Sequence, residues 1–159
     1  MLPTMKGRWL TRVLLFLWIG VPVTFIFSIM LAGPDSPELP YAGWSYDVLP
    51  FQVLSLLLLV GVILDPVYIF VQQWRWERDW PFAFQFFFSI LEFVIVLGLI
   101  WWGALDFTGP AAALHTRENY LLFTFHFACV FIPSFIALLG FVQIFMIRWR
   151  FKGGEWGRM

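Results

Sequence analysis

Apolar residues are concentrated in four long runs, which polar or proline-rich connections separate. The runs cover approximately residues 13–32, 51–73, 82–105 and 120–147. Each run holds about 20 or more mostly apolar residues, enough for a helix to cross a hydrocarbon core of about 30 Å. Short connections favour antiparallel neighbours. The pattern therefore predicts an all-α membrane protein in which residues 1–159 form one transmembrane domain, a four-transmembrane-helix antiparallel bundle.

The basic residues predict the orientation of the four spans. Three precede the first span, two lie between the second and third, and four follow the fourth: Lys6, Arg8 and Arg12; Arg75 and Arg78; Arg148, Arg150, Lys152 and Arg158. Only Arg117 lies in a connection on the opposite side. Because cytoplasmic connections are enriched in basic residues, we expect an integral, multi-pass membrane protein with both termini in the cytoplasm.

The composition supports this class and excludes others. Hydrophobic residues make up 61% of the chain and charged residues 13%, whereas soluble domains carry about 25% charged residues. The formal net charge is zero and the charges occur in short blocks, which does not favour a nucleic-acid partner. The sequence has no metal-ligand cluster, nucleophile–base pattern or phosphate-binding loop, so we expect no enzymatic activity. Twenty Phe and ten Trp residues predict aromatic helix faces that contact membrane lipids, other helices or a flat apolar cofactor.

Two carboxylic acids lie inside the predicted spans, where a charge is costly and rarely incidental. Asp65 precedes the cytoplasmic end of the second span by eight residues, which places it about 12 Å into the membrane. Glu92 follows the start of the third span by ten residues, at a depth of about 15 Å. Because a short connection joins the two spans, the two carboxyls are predicted to lie at a similar depth on adjacent helices.

Each acid belongs to a polar stripe along one helix face. The stripes consist of Asp65, Tyr68 and Gln72 on the second span, and of Gln85, Ser89 and Glu92 on the third. Three interpretations stay open. The acids share a proton or a small cation, because two carboxyls in a dry site resist ionising together. Alternatively, the stripes form a structural hydrogen-bonded clasp through Tyr68, Gln85 or Ser89. In the third, a basic side chain such as Arg78 or Arg12 reaches in to pair with one acid.

His126 lies among aromatic residues in the outer half of the fourth span. A membrane histidine can ligate haem or a chlorophyll-type pigment through its imidazole. It can equally be a neutral side chain bonded to a carbonyl or to Thr124. The other histidine, His115, falls in the outer connection and does not support a bis-histidine haem. The cofactor therefore stays unknown: pigment, haem or quinone contact is compatible with the sequence, and none is required.

Small residues recur at helical spacing on the first and last spans and predict close helix packing, within this chain or against a neighbour. The first row is Gly20, Thr24 and Ser28, and the second is Cys129, Pro133, Ala137 and Gly140. Cys129 is then a small packing residue rather than a nucleophile.

These features favour a non-catalytic accessory or structural subunit of a larger integral membrane complex, bioenergetic or transport, with other membrane-protein subunits as partners. One alternative is a small homo-oligomeric transporter or channel that couples to protons or ions through Asp65 and Glu92. Another is a pigment- or haem-binding subunit that uses His126.

Overall fold

The computed structural model describes residues 5–39, 43–73, 82–105 and 117–140, with the exception of the side chains of 72–73, 82–84 and 117–118. Four helices account for most of the described residues: α1 (Met5–Leu31), α2 (Leu49–Gln73), α3 (Phe82–Trp101) and α4 (Arg117–Leu139). The described residues contain no β-strand beyond one isolated bridge between Glu38 and Ser45. The prediction of an all-helical chain is therefore confirmed.

Three of these helices are long and apolar enough to cross a membrane. The qualifying segments are Met5–Leu31, Leu49–Val71 and Asn119–Leu139. In α3, the segment whose side chains are described, Gln85–Trp101, is apolar as well. Large apolar side chains remain exposed on the outer faces, as Trp18 and Met30 do on α1. The helices thus have the length and apolar character expected of a helical membrane protein.

α1 contains a π-helical turn at Phe16–Gly20 between two α-helical segments, Met5–Leu15 and Val21–Leu31. In an uninterrupted α-helix, a row of every fourth residue drifts around the axis by about 40° per step. A π turn holds one extra residue, which removes about 100° of the drift that accumulates along the helix. As a result, polar or small residues of both segments face the other helices: Arg8, Arg12, Gly20, Thr24 and Ser28.

α2 begins at a connection that is hydrogen-bonded to the end of α1. The backbone N–H of Asp47 donates to the carbonyl of Ser28 over 3.2 Å, and the Ser28 hydroxyl donates to the carbonyl of Asp47. The Asp47 carboxylate in turn accepts a 2.9 Å hydrogen bond from the N–H of Leu49, the first residue of α2. Pro50 suits the first helical turn because its missing N–H has no intrahelical partner there.

α3 ends at Trp101, four residues before the end of the predicted span, because Gly103 has a φ of 87°. The N–H of Ala104 bonds the carbonyl of Leu99, and the N–H of Gly103 bonds that of Ile100. These are the two hydrogen bonds of a glycine-terminated helix end, and the left-handed residue they require is most readily glycine.

The centre of the bundle lies where α2, α3 and α4 meet. The buried apolar side chains there are Val53, Val60, Val96, Ile100, Leu105 and Phe123. Towards the other end of α4, the rings of Phe127, Phe131 and Phe135 follow one another at 5.3 and 5.5 Å. Phe93 of α3 stacks on Phe127 at 4.1 Å, and Phe86 contacts Phe131 at 5.4 Å. We call these five rings the aromatic column; it joins α3 to α4.

Candidate functional site: a buried ion-pair cluster

Asp65 is fully buried inside α2 and is bound by two arginines of α1. The Nε and Nη2 atoms of Arg12 donate to Oδ2 and Oδ1 of Asp65 over 2.9 and 3.0 Å, which is a bidentate contact. The Nε atom of Arg8 donates to Oδ1 over 3.0 Å. Such charge-assisted, two-pronged bonds fix both the position and the orientation of the partners.

Glu92 of α3 is held by the same Arg12. Nη2 of Arg12 donates to Oε1 over 2.5 Å, and Nη1 donates to Oε2 over 2.9 Å. One guanidinium therefore bridges a carboxylate of α2 and a carboxylate of α3. Together with Arg8, the two acids and two arginines form a group in which the formal charges balance. We call these four residues, Arg8, Arg12, Asp65 and Glu92, the ion-pair cluster.

Gly61 makes room for the ion-pair cluster on the surface of α2. A Cβ atom at this position would overlap Nη1 of Arg12, lie 2.8 Å from its Cζ atom and lie 3.1 Å from Oε2 of Glu92. The guanidinium therefore rests directly on the α2 backbone one turn before Asp65. Only glycine permits so close an approach.

Tyr68 covers the ion-pair cluster on the side of α2 and is itself buried. The Cζ atom of Arg8 lies 5.5 Å from the centre of the Tyr68 ring, a distance that allows a cation–π attraction. The Tyr68 ring also packs against Phe88 of α3, at 4.3 Å between ring centres. The two aromatic rings thus cover one side of the charged groups.

Of the three interpretations that the sequence left open, the structure agrees with the third: Asp65 and Glu92 are paired with a basic side chain from another helix, Arg12. The two acids do lie at one level, but Arg12 stands between them. The Ser89 hydroxyl donates to the carbonyl of Gln85 on its own helix over 2.9 Å. The side chain of Gln72 and the whole of Arg78 lie outside the described residues.

Arg8 and Gly61 are members of this site that the sequence pattern did not indicate. Arg8 had been assigned to the basic flank before the first span, although its four-residue spacing from Arg12 was a usable signal. Both arginines lie in α1 because that helix begins at Met5, eight residues before the apolar run. Gly61 lies inside an apolar run and offers no such signal.

His126 of α4 is buried against α1. Its Nε2 atom lies 2.9 Å from the hydroxyl oxygen of Thr24, and its ring is 4.8 Å from that of Phe27. Thr124, which the sequence suggested as a partner, donates instead to the carbonyl of Tyr120 over 2.8 Å. A pigment or haem ligated through Nε2 would have to displace Thr24. Ligation by His126 therefore stays a prediction that needs a change in this contact.

The two rows of small residues have different surroundings. Gly20, Thr24 and Ser28 are all buried, and a Cβ at Gly20 would lie 3.4 Å from Leu54 of α2. The row on α4 is half-buried or exposed: Cys129, Pro133, Ala137 and Gly140. The first row thus serves packing within this chain, and the second faces outward.

Within the four described ranges, no three His, Cys, Asp or Glu side chains are grouped so as to hold a metal ion. The groups described above that could bind a ligand are the paired acids of the ion-pair cluster and the imidazole of His126. The chain matches no protein-family model, no curated protein and no solved structure.

Proposed function

We propose that the chain is an integral membrane protein with four spans and both termini in the cytoplasm. We further propose that it is a non-catalytic structural subunit of a larger membrane assembly. The three long apolar helices support the membrane location. The 20-residue length of α3 supports a fourth span. The placement of nine of the ten basic residues on one side supports the orientation.

The observation that carries the functional proposal is the charge balance of the ion-pair cluster. A carboxylate that moves protons or cations across a membrane must change its charge or its partner in each cycle. Asp65 and Glu92 are instead bound by Arg12, which contacts both, and Arg8 adds a second positive charge. Such a balanced group has no net negative charge to attract a cation. Its ion pairs instead fix the depth and rotation of three helices, α1, α2 and α3, relative to one another.

The outer face of α4 supports contact with further subunits. Ile132 and Ile136 are more than half exposed there, next to the half-buried small residues Cys129 and Ala137. Small residues let a neighbouring helix approach closely, which is the main source of helix association where lipid and side chain are equally apolar.

Gentle purification of the chain from its source membrane tests the subunit proposal. We expect it to elute in a stoichiometric complex with other membrane proteins, identified by native mass and composition. Elution of the chain alone as a homo-oligomer contradicts the proposal. The visible absorption spectrum of the same sample tests whether His126 ligates a haem or pigment. Such ligation predicts absorption bands even when the other subunits of the complex bind no haem or pigment.

A flux assay separates the structural role from proton or ion transport. Purified wild-type protein and the Asp65→Asn variant are reconstituted into vesicles that contain a pH-sensitive dye. We expect both to match empty vesicles. Proton or cation flux in the wild type that is lost in Asp65→Asn contradicts the structural role and favours the homo-oligomeric transporter.

A pair of single-cysteine variants tests the orientation in a Cys129→Ser background. Lys6 and Asp35 are both exposed and lie at opposite ends of α1. In intact cells, a membrane-impermeant maleimide should label Asp35→Cys and spare Lys6→Cys. The reverse labelling contradicts the proposed orientation.

A further inference from the structure

Each half of α1 makes a polar side-chain contact with another helix, and the second half is also hydrogen-bonded through Ser28 to Asp47. Arg12 in the first half belongs to the ion-pair cluster on α2 and α3. Thr24 in the second half meets His126 of α4 at 2.9 Å. The two residues are twelve positions apart, which is about 18 Å along a helix. Between them lies the π turn Phe16–Gly20.

In a continuous α-helix these two side chains would point in clearly different directions. Twelve residues at about 100° each leave Thr24 about 120° around the axis from Arg12. The extra residue of the π turn removes about 100° of this angle, so that the two side chains differ by only about 20°. Both can then face the interior of the bundle.

The last residue of the π turn, Gly20, is buried next to Leu54, whereas the most exposed side chains of the turn do not explain its presence. Leu17 and Trp18 point away from the bundle, with 54% and 78% of their surface exposed. The wide turn is a less common backbone form than the α-helix. The reason to keep it therefore lies at its two ends, where it brings polar groups of both halves to their partners.

We propose that the π turn is a register device that lets α1 form the ion-pair cluster and the Thr24–His126 contact at the same time. Loss of either contact removes one of the interactions that hold the turn, which can then relax towards a continuous α-helix as one half rotates by up to about 100°. The two contacts are consequently in competition. Each is weaker than it would be alone, because keeping both requires the wide turn. This inference concerns α1 itself and goes beyond the proposed subunit function.

Deletion of Trp18 is the direct test, since it removes the extra residue from an outward-facing position. Trp18→Ala is the matched control, because it removes the same side chain and keeps the register. Unfolding of the full chain is followed in mixed micelles for each protein, alone and combined with Arg12→Ala or Thr24→Val. In the Trp18→Ala background, Thr24→Val should lower the folding equilibrium constant about threefold, and Arg12→Ala more than about a hundredfold.

In the Trp18-deleted chain, the stronger cluster should persist and the Thr24 contact should be lost. Thr24→Val should therefore have no effect there, while Arg12→Ala keeps its full effect. Full sensitivity to both substitutions in the deleted chain would overturn the proposal, as would an equal effect of Trp18→Ala and the deletion.

A second measurement applies if the deleted chain does not fold. The losses from Arg12→Ala and Thr24→Val, singly and together, are compared in the undeleted protein. Because either single change already allows the turn to relax, the double variant should lose more than the product of the single losses, by about twofold or more. Losses that multiply without this excess overturn the proposal.

Discussion

α1 and α4 are joined to the rest of the bundle in different ways. α1 is attached by directional polar contacts, namely the ion-pair cluster and the Thr24–His126 pair. α4 shares the Thr24–His126 contact with α1 but meets α3 along the aromatic column, in which the ring contacts carry no charge. In lipid, apolar contacts gain little over contact with acyl chains, whereas an unpaired charge costs several kcal/mol. Directional contacts thus fix the depth and rotation of a helix, and aromatic contacts mainly fill space.

The largest effect is expected from Arg12→Ala, which breaks the attachment of α1. It leaves the carboxylate of Glu92 without its guanidinium and removes the bidentate contact to Asp65. Removal of one partner from a buried ion pair costs about 3–5 kcal/mol. We therefore expect a loss of this size in the free energy of unfolding, measured by titration with a denaturing detergent.

Two further variants control the Arg12 experiment. Arg12→Lys keeps the charge but cannot make the two-pronged contact, so it should lose less than Arg12→Ala. Trp18→Ala removes an exposed side chain of the same helix and should have little effect. An Arg12→Ala variant as stable as the wild type contradicts the ion-pair attachment.

A smaller loss is expected from Gly61→Ala, which places a methyl group where the Arg12 guanidinium rests. The guanidinium must move, and overpacking of this kind costs about 1–3 kcal/mol. Gly98→Ala on α3 is the matched control, since among the described residues no atom beyond the neighbouring helix backbone lies within 4 Å of its added Cβ. Thermal unfolding of both variants checks the prediction. Equal stability of the two would mean that the guanidinium does not rest on Gly61.

The aromatic side of the comparison is weakened by Phe127→Ala. This change removes the stacked contacts with Phe93 and Phe131, each worth about 0.5–1.5 kcal/mol. We expect a total loss of about 1–2 kcal/mol. The side chain of Phe87 is 66% exposed, so Phe87→Ala should lower the free energy of unfolding by less. A loss at Phe127 as large as that of Arg12→Ala would reverse the contrast between the two attachments.

The smallest effect is expected from Thr24→Val, which keeps the shape of the side chain and removes its hydroxyl. Hydrogen bonds between membrane helices average about 0.6 kcal/mol. The loss in unfolding free energy should therefore be near this value. Thr24→Ser keeps the hydroxyl, so it should keep most of the stability that Thr24→Val loses. A much larger loss would show that the hydroxyl has partners beyond His126.

The sequence predicted the helices better than their contacts. The levels of Asp65 and Glu92 follow from a constant helical rise, so depth can be read from residue counts. Their partner could not be chosen, because Arg12 and Arg78 were both within reach by length alone. Arg12 precedes the apolar run of the first span but lies in α1, because a helix can extend several residues beyond the apolar run.

Two other features were not predictable for a different reason. The π turn Phe16–Gly20 lies in an almost wholly apolar segment, where no polar stripe reveals a change of register. The sequence pattern indicated Thr24 as a packing residue and His126 as a possible ligand, but not their contact. They are 102 positions apart, and a helical pattern within one span gives no information on which face of another span it meets.

The most direct test of the account is a double-mutant cycle between Arg12→Ala and Glu92→Gln in the full chain. Direct contact between these side chains predicts a coupling free energy of about 1–3 kcal/mol, because the second change costs little once the first has broken the pair. If the losses from the two changes add to within about 0.5 kcal/mol, Arg12 and Glu92 do not act as a pair, and the ion-pair attachment of α1 is contradicted.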